Sequence, residues 1–111
     1  MTAEPARFGA ILQLRAQPGR RAELLRVLGN YVNTLDGEPG TTLLCVASDP
    51  AEEDAVWMWE EFADAEAVAG HFAHDFFRAL QLELVDLLVD SPAVRPLTPV
   101  IRHVSSGVSA E

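Results

Sequence analysis

Two kinds of apolar periodicity alternate along this chain, and their order limits the possible folds more than any single residue does. Residues 7–15 repeat every second position, with Phe8, Ala10, Leu12 and Leu14 on one face and Gly9, Ile11, Gln13 and Arg15 on the other. That is the period of a strand. Pro18-Gly19 breaks it, and from Arg20 to Asp36 the spacing becomes helical, with Leu24, Leu25, Leu28, Tyr31, Val32 and Leu35 in one stripe and Gly37 as a natural cap. Glu38-Pro39-Gly40 predicts a turn, Thr41–Ser48 an apolar strand, and residues 49–54 a polar loop. Ala55–Phe62 predicts a third strand, with Val56, Met58, Glu60 and Phe62 on one side and Trp57, Trp59 and Glu61 on the other. Asp64 suits the N-cap of a helix running to about His74, and Asp75 that of a second running to Asp90, where Ser91, Pro92 and Pro96 stop it. A last strand is expected over residues 97–104, with Pro99 requiring an edge or strand-start position.

The order strand, helix, strand, strand, helix pair, strand predicts an α+β fold. It is the ferredoxin-like split βαβ arrangement, an antiparallel sheet with helices over one face. The other face would meet water. Pairing two such faces about a twofold axis buries both, so a homodimer is expected. At 111 residues there is room for one domain, placed at residues 1–104, followed by a tail at 105–111.

Composition narrows the partners. A net charge of −9, with eight scattered arginines and no lysine, does not favour nucleic acid or an anionic membrane surface. No apolar run approaches the roughly 20 residues that cross a bilayer. The opening residues lack the pattern of a secretory signal, and a lone cysteine, Cys45, suits a reducing compartment, so the cytoplasm is expected. Cys45 itself reads as an inert core thiol in an apolar strand.

Several segments resemble the antibiotic biosynthesis monooxygenase family. They are a basic helix start after Pro-Gly, at Pro18-Gly19-Arg20-Arg21, and the turn Glu38-Pro39-Gly40 followed by a strand and Asp49-Pro50. The family's third strand often ends Tyr-Glu-Arg-Trp, which here reads Trp59-Glu60-Glu61-Phe62 before Asp64 and a helix carrying His71. Where Ser-Pro-His-Phe is usual, the chain has His74-Asp75-Phe76-Phe77, so the second family histidine has become Phe76. The resemblance implies a dimeric α+β barrel and a cofactor-independent oxygenase of hydroquinones or polycyclic phenols. Some relatives degrade haem, but that role wants an axial histidine in the long third helix, where only Gln81 stands near the place.

Residues able to carry such chemistry are few. His71 falls at the border of the stripe made by Val68 and Phe72, and could line a cleft and take a phenol proton; a half-exposed helix histidine without a task is the alternative. His74 falls on the water side. Trp57 and Trp59 share one strand face and could wall a planar substrate, or fill the core or a dimer seam. Phe72 and Phe76 would close the apolar side. Gln13 could donate to an oxyanion or to oxygen, or satisfy a local group at an interface. Asn30 and Asn33 lie opposite the first helix's stripe and are expected in solvent, as is His103. His71, His74 and Asp75 diverge too far for a metal site, and no glycine-rich loop has dinucleotide spacing, so neither metal nor cofactor is expected. The rival to an oxygenase is a non-catalytic dimer that binds a small hydrophobic ligand or a partner.

Overall fold

The computed structural model describes residues 7–105. Its elements are β1 (Phe8–Arg15), α1 (Arg21–Val32), a 3₁₀ turn (Asn33–Gly37), β2 (Thr41–Ser48), β3 (Ala55–Phe62), α2 (Ala65–Ala73), α3 (Asp75–Leu87) and β4 (Ala93–Leu97). The four strands form one sheet in the order β2-β3-β1-β4 with every pair antiparallel, the ferredoxin-like α+β arrangement expected from the order of periodicities.

Register decides which side chains meet. Leu12 lies opposite Met58 and Val94, Leu14 opposite Val56, and Ala10 opposite Glu60 and Pro96. These rows face the helices. Leu14, Val56 and Met58 pack with Leu24, Val27, Leu28 and Tyr31 of α1 and Leu80 and Leu87 of α3 to form the core. Gly19, at φ 78°, occupies the left-handed region at the entry to α1, where its N–H donates to Asp54 Oδ1 at 3.1 Å.

The first helix ends earlier than its stripe predicts, at Val32 rather than Asp36. Thr34 Oγ1 donates to the Tyr31 carbonyl at 2.7 Å, and the chain tightens into i→i+3 bonding, with Glu38 N–H donating to Leu35 O at 2.8 Å. The last strand is also displaced, to Ala93–Leu97 rather than residues 97–104. α3 stops at Leu87, and the following residues run straight onto the free edge of β1: Ala16 bridges Leu88, and Val89 N–H donates to Arg15 O at 2.9 Å. An edge strand tolerates Pro96, so the proline read as a helix stop lies inside β4, while Pro99 lies beyond it.

The face of the sheet away from the helices carries Ile11, Gln13, Leu43, Cys45, Trp57, Trp59 and Leu97, as the alternation and register require. Cys45 is exposed there, not a core thiol as expected, because its neighbours Leu44 and Val46 take the inward positions of β2. Trp59 lies across Gly9 so closely that a Cβ on the glycine would sit 2.6 Å from its ring. Glu61 on this face is only 2% exposed, because Arg102, beyond β4, clasps it with Nε 2.5 Å from Oε1 and Nη2 2.9 Å from Oε2. Among the described residues no helix is long and apolar enough to cross a membrane. The tail assigned to residues 105–111 lies, beyond Ser105, outside the described residues, as do residues 1–6 of the expected domain.

Candidate functional site

A cleft of about 740 Å³ opens between the β1–β4 half of the sheet and the pair α2–α3. Two local features set it. Asp64 caps α2 by accepting the Ala67 N–H at 2.8 Å, and the chain breaks at His74 (φ −73°, ψ 141°), whose Nδ1 accepts the Phe76 N–H at 3.2 Å to start α3. The break sets the phase of the next helix. Phe77, Leu80, Leu84 and Leu87 form its inward row, so Phe77 joins Phe62 and Phe72 in the aromatic wall of the cleft. Phe76, expected to close the apolar side, is exposed and stacked on the His74 ring at 5.2 Å. Phe72 lines the cleft.

Behind that wall lies a buried polar network. His71, in the last turn of α2, is 1% exposed, with ring centroids of Phe62, Phe77 and Phe72 at 4.9, 5.1 and 5.3 Å. Its Nδ1 is 2.9 Å from Glu38 Oε1, and its Nε2 is 3.1 Å from the Tyr31 hydroxyl. Burial first, then the charges of Glu38 and Glu60, raise the Tyr31 pKa far above the usual phenol range, so the hydroxyl keeps its proton. One assignment satisfies Tyr31 and both ring nitrogens of His71: Tyr31 O–H donates to Nε2 and Nδ1–H donates to Glu38. Glu38 Oε1 also accepts from Thr41 Oγ1 at 3.3 Å, while Glu38 Oε2 is buried with no hydrogen-bond partner among the described residues. Gly40 permits this meeting, since a Cβ there would lie 2.5 Å from Ala67 Cβ and push α2 away from the 3₁₀ turn.

Glu60 is the group that looks into the cleft. It is 6% exposed, lies on the inward face of β3, and has no hydrogen-bond partner among the described residues. Desolvation raises its pKa; His71 nearby pulls it down and Glu38 pushes it up. A carboxyl poised in this way can accept a hydrogen bond or a proton from a ligand hydroxyl at a pH where an ordinary carboxylate is a weaker base.

The residues singled out from the sequence therefore separate into two groups. His71 and Phe72 belong to the helix side of the sheet, with His71 in the interior behind the aromatic wall rather than on the cleft surface. Gln13, Trp57 and Trp59 lie on the opposite face, where Gln13 Nε2 donates to Glu52 at 3.4 Å and Trp57 Nε1 donates to Asp49 Oδ2 at 2.9 Å. That bond, above all, holds the Asp49 pKa down. One chain does not bring the tryptophans or Gln13 to His71. Asn30 and Asn33 are exposed, and so is His103. Among the described residues no three histidines, cysteines or acids are grouped to hold a metal ion. Tyr31, Glu38 and Phe77 were not visible as site residues in the sequence; Glu60, an acid at an inward strand position, carried a signal of its own.

This architecture has known counterparts. The sequence profile described as antibiotic biosynthesis monooxygenase matches residues 7–82, which is most of the chain and contains β1 through the first half of α3. The chain belongs to the antibiotic biosynthesis monooxygenase family. Among solved structures, a protein of unknown function from Nitrosomonas europaea superposes with a TM-score of 0.81 at 20% identity, covering 95% of this chain and 100% of its own. A candidate antibiotic biosynthesis monooxygenase from Caulobacter crescentus gives 0.81 at 22% identity, covering 87% and 92%. Another from Chloroflexus aurantiacus gives 0.71 at 25% identity, covering 88% and 97%. No functionally curated protein matches the chain by sequence. For this family member, the cleft, Glu60 and the network behind it are the features on which a function can be built.

Proposed function

We propose that this protein is a monooxygenase that oxidises an electron-rich hydroxyaromatic, a hydroquinone or a polycyclic phenol, within the cleft between α2–α3 and the sheet. The observation that carries the reading is Glu60, a carboxyl without a hydrogen-bond partner among the described residues, in a largely apolar cleft with aromatic lining, in a member of a monooxygenase family. The substrate hydroxyl donates to Glu60 and gives up its proton as the ring becomes electron-rich enough to react with oxygen. A hydroquinone and O₂ then yield a hydroxyquinone and water: the substrate loses two hydrogen atoms and gains one oxygen atom, a four-electron oxidation that supplies the four electrons O₂ takes up, and the second oxygen atom leaves as water with the two hydrogens. Because an ionised substrate supplies its own electrons, the protein's task is to bind, to deprotonate and to keep bulk water out, and no cofactor is assigned.

In this scheme the base is Glu60, and His71 holds its surroundings in place from behind. The working unit is a homodimer in which the open sheet faces meet, covering Trp57, Trp59 and Cys45; the expected compartment is the cytoplasm. The second reading, a dimer that binds a hydrophobic ligand without chemistry, draws on one observation: both ring nitrogens of His71 are already engaged within the protein. Oxygen uptake decides between them. Purified protein in air with a panel of hydroquinones and anthrone-like phenols should consume oxygen above the buffer rate, and Glu60→Gln should abolish the excess. No uptake with any compound at high protein concentration would leave the binder.

A further inference from the structure

Among the described residues the cleft is lined by only two ionisable groups, and both are acids: Glu60 at its base and Asp90 at its rim. Among the described residues no arginine or histidine lines it, and the chain has no lysine, although cations are usual wherever a site takes a carboxylate or phosphate. Glu60 is more than nine-tenths buried and no described residue hydrogen-bonds its carboxyl, so the cleft favours a ligand that brings a donor. The same cleft is lined by the rings of Phe62, Phe72 and Phe77, and aromatic π faces attract cations and not anions. The whole chain, at −9, adds a field of the same sign.

We infer that the cleft selects its ligand by charge: it takes aromatic molecules that carry a hydrogen-bond donor and no anionic group, and it holds a protonated amine more tightly than a hydroxyl in the same place. The inference rests on the reading of the cleft as the substrate site and narrows the substrate class to hydroxyaromatics free of carboxylate, sulfonate or phosphate, with basic substituents favoured. A carboxylate brought beside Glu60 would place two like charges in a poorly solvated site, where one must take up a proton or leave. An ammonium group there gains the ion pair that the protein itself does not provide.

The test uses three probes with one ring system: 2-naphthylmethylamine, 2-naphthol and 2-naphthoate, titrated calorimetrically into the full chain near pH 7.5. The amine should bind most tightly and the naphthoate at least about tenfold more weakly than the naphthol, a gap of the size that one unscreened like-charge contact produces. Glu60→Gln should compress the spread to within a few-fold, mainly by weakening the amine and admitting the naphthoate, and Asp90→Asn should do so to a smaller degree. Circular dichroism and thermal melting establish that both variants are folded. Equal affinity for naphthoate and naphthol, an unchanged spread in Glu60→Gln, or no binding of any probe at millimolar concentration would overturn the inference. The two readings fail separately. Charge-selective binding without oxygen uptake removes the oxygenase and keeps the selection, whereas uptake with indiscriminate binding does the reverse.

Discussion

Glu38 Oε1 and His71 Nδ1 lie 2.9 Å apart in the interior of the protein, joining the turn before β2 to the last turn of α2. Neither group has water to fall back on, since the His71 side chain is fully buried and that of Glu38 is 8% exposed. Their pairing therefore bears on stability as much as on chemistry. His71→Ala should destabilise the fold by about 2–4 kcal/mol, because it leaves the buried Glu38 carboxyl with only the longer bond from Thr41. Urea unfolding of His71→Ala, Glu38→Gln and the double variant should reveal a coupling of about 1–3 kcal/mol. Additive losses would show that the two side chains do not act together.

His74 offers the contrast. Its ring caps α3 from a half-exposed position, so His74→Ala should lose about 0.5–2 kcal/mol. Oxygen uptake measured on the folded fraction should fall in His71→Ala, where the wall behind Glu60 is disturbed, and stay near wild type in His74→Ala.

Glu60 predicts a pH-dependent stability of definite sign. Burial raises its pKa in the folded protein, so folding favours the protonated carboxyl. The stabilisation is whole below the ordinary glutamate pKa of about 4.3 and is lost as pH rises through the raised folded value. Glu60→Gln removes the buried charge, so it should melt higher than wild type near pH 7.5, and the difference should shrink toward pH 4. Thermal melts across that range measure it; a constant gap, or a Gln variant that melts lower at neutral pH, would contradict the assignment.

Two glycines should respond in opposite directions to the same added methyl group. At Gly40 a Cβ would stand 2.5 Å from Ala67 Cβ, so Gly40→Ala should force α2 outward and cost about 1–3 kcal/mol. At Gly29, within α1, nothing lies within 4 Å of the added atom, so Gly29→Ala should stabilise by about 0.5–1 kcal/mol. Chemical denaturation of the two variants checks both signs.

The homodimer is tested by mass. Sedimentation at micromolar concentration should give twice the 12.1 kDa chain. Leu43→Glu, on the open face and 46% exposed in the single chain, should shift the protein toward monomer without unfolding it. A wild-type chain that sediments as a monomer would refute the pairing.

Much of the fold was legible because local periodicity and sheet position agree. β2 and β3 lie where their alternation places them, and Asp64 caps α2 as its side chain predicts. β4 was displaced because it is short, lies at the edge and contains Pro96, so its position depends on the free edge of β1 rather than on its own residues. The site was less legible for a related reason. Helical spacing put His71 at the border of a stripe, but the groups that meet it, Glu38 and Tyr31, are 33 and 40 residues away in sequence. Phe76 and Phe77 were exchanged by a phase error of one residue, set by the backbone break at His74. The tryptophans and Gln13 drew notice by residue type, but strand alternation had already put them on the face opposite Glu60.

The two outer strands of the sheet differ in what they offer to a passing extended chain. β4 is five residues long and carries Arg95 and Pro96, a charge and a missing donor that discourage further pairing. β2 is eight residues long, Thr41–Ser48, with no charge and no proline along its whole length. Assembly through backbone ladders is therefore one-sided in this protein. A stretch of unfolded polypeptide, or a second sheet during heat stress, would add at β2, so a lysine introduced at Thr42 or Ala47 would guard the molecule against fibrous growth better than any change at β4.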